Sequence, residues 1–352
     1  MIPDEKFCKM EKMFSGLESP VLIISTRVGK GMYSIGEAIC EHLKDSGLSD
    51  NDFVHSVIED CVSDAILRED VTRYRFIVTR IPWLLYLIYK TPFVYMRKYI
   101  REILFENSGL GKLSELIAEV HPRVIFCVSH RSAFWVSNFK RKNGGNFKIW
   151  GLLGEYGKNY GWKYVFWKQI DAFFSPVSRL EVGFKIAPHV SFRQIELPCK
   201  KEFTELAKYA GKINEVLVAG GYWGHANVFN VIFGLKQLAD WRNKLIIHVV
   251  AGDNENVLKM LRTRFSEKEN VFIYSALPSL ANLMKRCGVV VTKPGISSIL
   301  EAHAAGRKIF LMKGLPVAED HNARYAIRNF GAEWYSETAF LRWLYSREAL
   351  SR

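Results

Sequence analysis

Several features are missing from this chain, and each absence excludes something. Its six cysteines lie at positions 8, 40, 61, 127, 199 and 287, too far apart for a C-x-x-C pair and too sparse for a disulfide scaffold. The nine histidines are equally scattered, without H-x-H or H-E-x-x-H spacing, so no metal site is expected. Met1 to Pro20 holds mixed charges and no apolar run of the secretory kind; reduced thiols and a cytoplasmic location are expected. One stretch of membrane-span length, Val216–Leu235, has no charged residue in 20 positions, but Gly220, Gly221, Gly224, His225, Asn227 and Asn230 interrupt it. A buried strand, a glycine turn and a helix start account for it better, and no transmembrane helix is expected.

Acidic residues are the minority charge, 36 against 49 Lys and Arg, for a formal net charge of +13. That balance favours anionic partners: phosphate-bearing ligands, acidic lipid surfaces or nucleic acid. What is abundant is apolar surface. With 352 residues and 49% hydrophobic content, the chain can bury two cores, and disorder is excluded.

A unit of short β-branched run, turn and helical pattern recurs. It begins with Val21–Ser25, which leads through Gly29 and Gly31 into Ser34–Leu43. Further runs are Val124–Val128, Phe147–Leu153, Val216–Ala219, Leu245–Val250, Val271–Tyr274, Val289–Thr292 and Ile309–Met312. Strands alternating with helices imply parallel sheets with right-handed crossovers, an α/β class with two doubly wound domains. The rhythm weakens over the polar Ala187–Pro198, read as the link between them. The expected division is 1–195, 196–335 and a terminal helix, 336–352, crossing back to the first domain.

Val71–Arg101 differs from its surroundings. It carries seven basic residues, among them Arg80, Lys90, Arg97 and Lys98, no acidic one, and eight aromatics, among them Trp83, Tyr86 and Phe93. Cationic side chains meet anionic headgroups while aromatic rings settle at headgroup depth, so this composition suits a membrane surface. A core helix with a basic outer face would look similar.

Three motifs carry chemistry. The loop Thr26–Gly31 follows a strand and opens a helix, a phosphate-binding geometry, although it lacks both the Walker pattern and the third glycine of a dinucleotide fingerprint. Thr292-Lys293-Pro294-Gly295-Ile296-Ser297-Ser298 ends a strand before a helix, with Ser297 or Ser298 placed to cap it; free amides there suit a diphosphate. Glu301, one turn on, can accept from ribose hydroxyls. Glu319-Asp320-His321-Asn322, read as a loop before a further helix, groups acid and amide side chains suited to sugar hydroxyls. A capped helix with a surface glutamate, and an ordinary polar loop, are the plainer readings.

In order and spacing these motifs resemble the GT-B glycosyltransferases, specifically the monogalactosyldiacylglycerol synthases and processive diacylglycerol glucosyltransferases, and more distantly the undecaprenyl-muramoyl-peptide N-acetylglucosaminyl transferases. Thr292–Ala302 is similar to T-K-x-G-P-G-T-I-x-E-A, Gly252-Asp253-Asn254-Glu255 to G-R-N-E, and Glu319–Asn322 to the end of Q-E-x-x-N. The resemblance spans roughly residues 20–335. It implies two Rossmann-like domains with a cleft between them and transfer of a sugar from a UDP-sugar to a lipid hydroxyl. The enzyme would sit peripherally on the membrane, with no further cofactor and no protein partner. Lys293, Gly295, Ser297 and Ser298 would hold phosphates, Glu301 the ribose, and Glu319 and Asn322 the sugar, with Gly29, Gly31 and Gly221 giving backbone access. Arg80, Trp83, Tyr86, Lys90, Phe93, Arg97 and Lys98 would face the membrane and acceptor.

The sequence also departs from the family. Met32 stands where G-x-G-H has histidine. The T-D-x-x-x-x-H-x-x-W block becomes Leu153 to Trp162, with Gly154 for aspartate and Asn159 for histidine. Glu155 is then the nearest carboxylate to serve as base. Asp253 and Ser275-Ala276 alter the nucleotide side. Another acceptor (a nucleic acid or small molecule), a nucleotide-sugar epimerase, or a donor-binding relative without catalysis would fit the same pattern.

Overall fold

The structure is a computed structural model. It describes residues 17–28, 30–62, 110–221, 228–238, 244–265, 270–315 and 318–351, with Phe14 and eight positions between 72 and 84. The chain divides into two compact units, Met1–Lys200 and Lys201–Arg352.

The first unit is built on β1 (Val21–Ser25), β2 (Phe53–Val57), β3 (Val124–Cys127), β4 (Lys148–Leu152), β5 (Ala172–Ser175) and β6 (Ser191–Gln194). Their order is β2-β1-β3-β4-β5-β6, and every pairing is parallel. All five residues of β1 are buried, as a central strand covered on both faces requires. The helix Gly31–Asp45 turns Ile35, Ala38, Ile39 and Leu43 into the core, the helical i, i+3, i+4, i+8 spacing. The segment read as a linker, Ala187–Pro198, instead supplies the edge strand β6. Its half-exposed pattern is what an edge strand shows, and it hides the strand signal.

The second unit holds β7 (Lys212–Ala219), β8 (Ile246–Val250), β9 (Val271–Tyr274), β10 (Cys287–Thr292), β11 (Lys308–Leu311) and β12 (Glu333–Trp334). The order is β12-β11-β10-β7-β8-β9, again all parallel. Val289 to Val291 pair with Val216 to Val218 on one side and with Lys308 to Phe310 on the other. The terminal helix Glu337–Ser351 buries Ala339, Phe340 and Leu344 in this unit's own core. Truncating a side chain such as Phe340, fully buried here, typically costs about 3–5 kcal/mol.

In each sheet the direction of strand addition reverses once, between β1 and β3 and between β7 and β10. Ligands of such sheets bind beyond the carboxyl ends of the strands at that reversal. The loops there are Thr26–Lys30 with Val128–Ser129 in the first unit, and Gly220–Gly221 with Lys293–Gly295 in the second.

Candidate functional site

The second unit's reversal brings together residues far apart in sequence. Strand β7 ends at Ala219, and Gly221 then adopts φ +81°, a left-handed conformation open to glycine. A Cβ at Gly221 would run into Lys293 Cε and lie 3.0 Å from its Cδ, so the lysine stem lies directly across this glycine. Lys293 Nζ donates to Glu319 Oε1, and both side chains are largely buried. The other oxygen, Glu319 Oε2, accepts from Leu315 N at 2.7 Å. Gly314 makes room for this carboxylate, since a Cβ there would strike Glu319 Oε2 and approach Pro294 Cδ to 2.7 Å.

Gly295, not a serine, is the N-cap of the helix Ile296–Ala304, and no side chain caps it. Ser297 and Ser298 therefore lie inside the first turn rather than at the cap. The first amides of a helix have no acceptor within it, and the dipole makes that end positive. Ile299 N is the first to bond back, to Gly295 O at 3.2 Å. Helix start and ammonium together form a place for an anion.

Glu301 is buried on the same helix. Asn322, also buried, donates through Nδ2 to Pro294 O at 3.2 Å and so fixes the loop before Gly295. Glu319 and Asn322 are not on a free loop, because the helix Ala318–Asn329 already contains them. Asp253 is exposed on the loop after β8, while Asn254 caps the helix Glu255–Arg264 by accepting from Val257 N at 3.2 Å.

The first unit's reversal is occupied differently. Gly29 lies outside the described residues. Lys30 takes φ 58°, and Gly31 begins the helix. Thr26 Oγ1 donates to Glu59 Oε1, Arg27 N donates to Glu59 Oε2 at 3.0 Å, and the Arg27 guanidinium reaches Asp60 at 2.9 Å. A carboxylate of the protein itself thus engages the loop proposed for phosphate. No sequence motif marks Glu59.

The two positions where the family pattern implies histidine and aspartate are in contact. A Cβ on Gly154 would collide with Met32 Sδ and lie 2.9 Å from its Cε. Glu155, beside this contact, accepts from Asn159 Nδ2 at 3.1 Å. Asn159 Oδ1 in turn accepts from Gly161 N at 3.0 Å, and the tryptophan of the family block, Trp162, is a core residue packed edge-on to Phe173 with centroids 4.8 Å apart.

Of the proposed membrane residues, Arg80 and Trp83 are exposed, as is Phe76, while Val78 between them is buried. Tyr86, Lys90, Phe93, Arg97 and Lys98 lie outside the described residues. No helix among the described residues is long and apolar enough to cross a membrane.

A second polar cluster is buried elsewhere in the second unit. Ligand atoms of Glu215, His248 and Cys287 lie within 4.8 Å of one another. Glu215 already accepts from Lys212 at 2.8 Å, Arg286 at 3.0 Å and His248 at 3.2 Å, so two cations occupy the place of a metal. Burial pushes the Cys287 thiol up to about 12, which keeps it protonated and inert.

No known family profile matches the chain. A curated relative, the processive diacylglycerol beta-glucosyltransferase of Bacillus cytotoxicus, is 20% identical over 325 residues, covering 87% of this chain and 79% of its own. Among solved structures, MurG of Acinetobacter baumannii superposes with a TM-score of 0.53 at 12% identity, over 94% of this chain and 90% of that one. The UDP-GlcNAc 2-epimerase of Neisseria meningitidis, bound to UDP-GlcNAc, gives 0.50 at 11% identity, over 92% and 89%. The chain thus has the two-domain α/β GT-B fold, and over most of its length it is similar to a diacylglycerol glucosyltransferase.

Proposed function

We propose that the protein transfers a hexose from a UDP-sugar to a hydroxyl of a membrane lipid of the diacylglycerol type, working as a peripheral protein at the membrane surface. The observation that carries this reading is the meeting of Gly221, Lys293 and the uncapped helix start at Gly295 at the strand reversal of the second sheet. Lys293 and the amides of Ser297 and Ser298 would hold the diphosphate and stabilise negative charge as the sugar–phosphate bond breaks. Glu301 would take the ribose hydroxyls. Glu319 and Asn322 would meet the sugar, and Gly31, with Gly29, would give the backbone access in the first unit.

On the acceptor side, the methionine–glycine contact leaves neither implied acid–base group. Glu155 is the carboxylate next to that contact, and in this reading it accepts the lipid hydroxyl proton as that oxygen bonds to the sugar carbon. The exposed Phe76, Arg80 and Trp83 around buried Val78 favour a membrane-facing element. Diacylglycerol glucosyltransferase is also the activity named for the curated relative.

The fold is shared with an epimerase, so the test must separate the two. Labelled UDP-glucose or UDP-galactose would be incubated with vesicles containing diacylglycerol and anionic lipid. Labelled glycolipid that depends on the vesicles, and is reduced about a hundredfold or more by Glu155→Gln, is the expected result. An altered nucleotide sugar formed without any acceptor would overturn the transferase reading, and full turnover in Glu155→Gln would overturn the assignment of the base.

A further inference from the structure

We infer that Glu319 is an internal anion that occupies Lys293 in the free protein and is displaced from it by the donor's diphosphate, so that it weakens the site's hold on the bare nucleoside diphosphate. This deepens the proposed function and rests on its nucleotide site. The geometry of the pair points to it. From the position a Cβ would take on Gly295, Lys293 Nζ is 3.4 Å away and Glu319 Oε1 is 3.7 Å away. The salt bridge therefore lies against the helix-start residue beside which a phosphate would bind.

The two partners are anchored unequally. Glu319 is fixed from behind by the Leu315 amide at 2.7 Å and lies against Gly314, where no Cβ fits. Lys293 reaches the pair on an unbranched four-carbon stem whose Cδ and Cε lie over Gly221, where no Cβ stands. When a diphosphate arrives, the lysine is the partner free to turn, while the carboxylate stays. Two anions then face each other near one ammonium, and their repulsion opposes binding. A donor still carrying its sugar relieves this, because a sugar hydroxyl can donate to the released Glu319 oxygen. A bare nucleoside diphosphate has no such group, so Glu319 biases the site toward intact donor and toward release of the product.

This inference differs from two simpler roles. If Glu319 only bound the sugar, removing its charge would leave UDP affinity unchanged. If it only positioned Lys293, removing its charge would weaken UDP binding. Calorimetric titration with UDP of the full chain, Glu319→Gln and Glu319→Asp distinguishes these. Gln keeps an oxygen to accept from Leu315 N–H but loses the charge, and about tenfold tighter UDP binding is expected. Asp is shorter by one methylene and cannot span both Leu315 and Lys293; a smaller gain, about threefold, is expected and serves should the Gln variant fold poorly. Unchanged or weaker binding in both variants would overturn the inference while leaving the nucleotide site in place. Absence of UDP binding in the wild type would overturn the nucleotide reading itself, and this inference with it.

Discussion

Two segments of similar composition end the strands at the two reversals, Thr26-Arg27 just after β1 and Thr292-Lys293 at the end of β10. Their surroundings make them chemically different. In the first, the threonine hydroxyl, the arginine amide and the guanidinium all bond to Glu59 or Asp60. In the second, Thr292 Oγ1 is satisfied by the backbone, at Ala219 O and Lys293 O, 3.3 and 3.2 Å away, and the helix start behind it has no side-chain cap. A loop whose donors are filled by the protein's own carboxylates has little left for a ligand's phosphates. One with uncapped helix amides and a lysine paired to a single carboxylate retains that capacity. In the proposed function the donor chemistry therefore falls to the second unit, while in the first the two positions that the resemblance implies as acid and base form a methionine–glycine contact.

The sharpest way to separate structural from functional acids is within the second unit. Glu215→Ala would leave His248 and Arg286 without their shared partner, and should lower stability by about 1–3 kcal/mol, chiefly through the hydrogen bond that buried His248 loses. Denaturant unfolding would register that loss, with UDP-dependent stabilisation retained in the folded variant. In the first unit, Gly154→Asp restores the implied carboxylate but forces it against Met32. A loss of about 2 kcal/mol is expected, with part of it recovered by Met32→Ala. If the two changes were simply additive, the proposed contact would be wrong.

The first unit should also carry an acid sensitivity of its own. His55 Nε2 lies 2.8 Å from Ser25 Oγ, under Gly36, where a Cβ would lie 3.0 Å from His55 Cε1. Burial, helped by the Arg27 charge, pushes this imidazole down to about 4. With the unfolded value near 6.5, the neutral ring favours folding fully above about pH 6.5, and that contribution is lost as the pH falls towards 4. We expect about 2 kcal/mol, after allowance for partial exposure. Urea unfolding at pH 7 and 4.5 should show a smaller difference in His55→Phe than in wild type; an unchanged difference would refute it.

Much of the frame was legible because its central strands are apolar runs buried on both faces, Val21–Ser25 and Val289–Thr292; the edge strand Val271–Tyr274 was legible from its β-branched and aromatic residues, although only Val271 is buried. The strands that escaped notice explain themselves. Phe53–Val57 carries histidine and serine, Ala172–Ser175 has only four residues, Ser191–Gln194 is a half-exposed edge, and Glu333–Trp334 has only two residues. At the site, Lys293, Gly221, Glu319 and Asn322 were readable as residue types suited to an anion and a sugar. Their arrangement was not, because Lys293 and Glu319 meet across a separation of 26 residues that no local pattern records. The helix start was misplaced for a local reason: Ser297 and Ser298 look like caps, but the chain enters its helix at Ile296 and uses Gly295.

The central claim is that the second unit binds a nucleoside diphosphate through Lys293. Thermal or denaturant unfolding with and without UDP, on wild type, Lys293→Ala and Glu301→Ala, tests it most directly. At a hundredfold excess over Kd, a ligand confined to the native state adds about 2.7 kcal/mol. The account predicts that stabilisation in the wild type, its near-complete loss in Lys293→Ala and a partial loss in Glu301→Ala. Equal stabilisation of all three proteins, or none in the wild type, would contradict it.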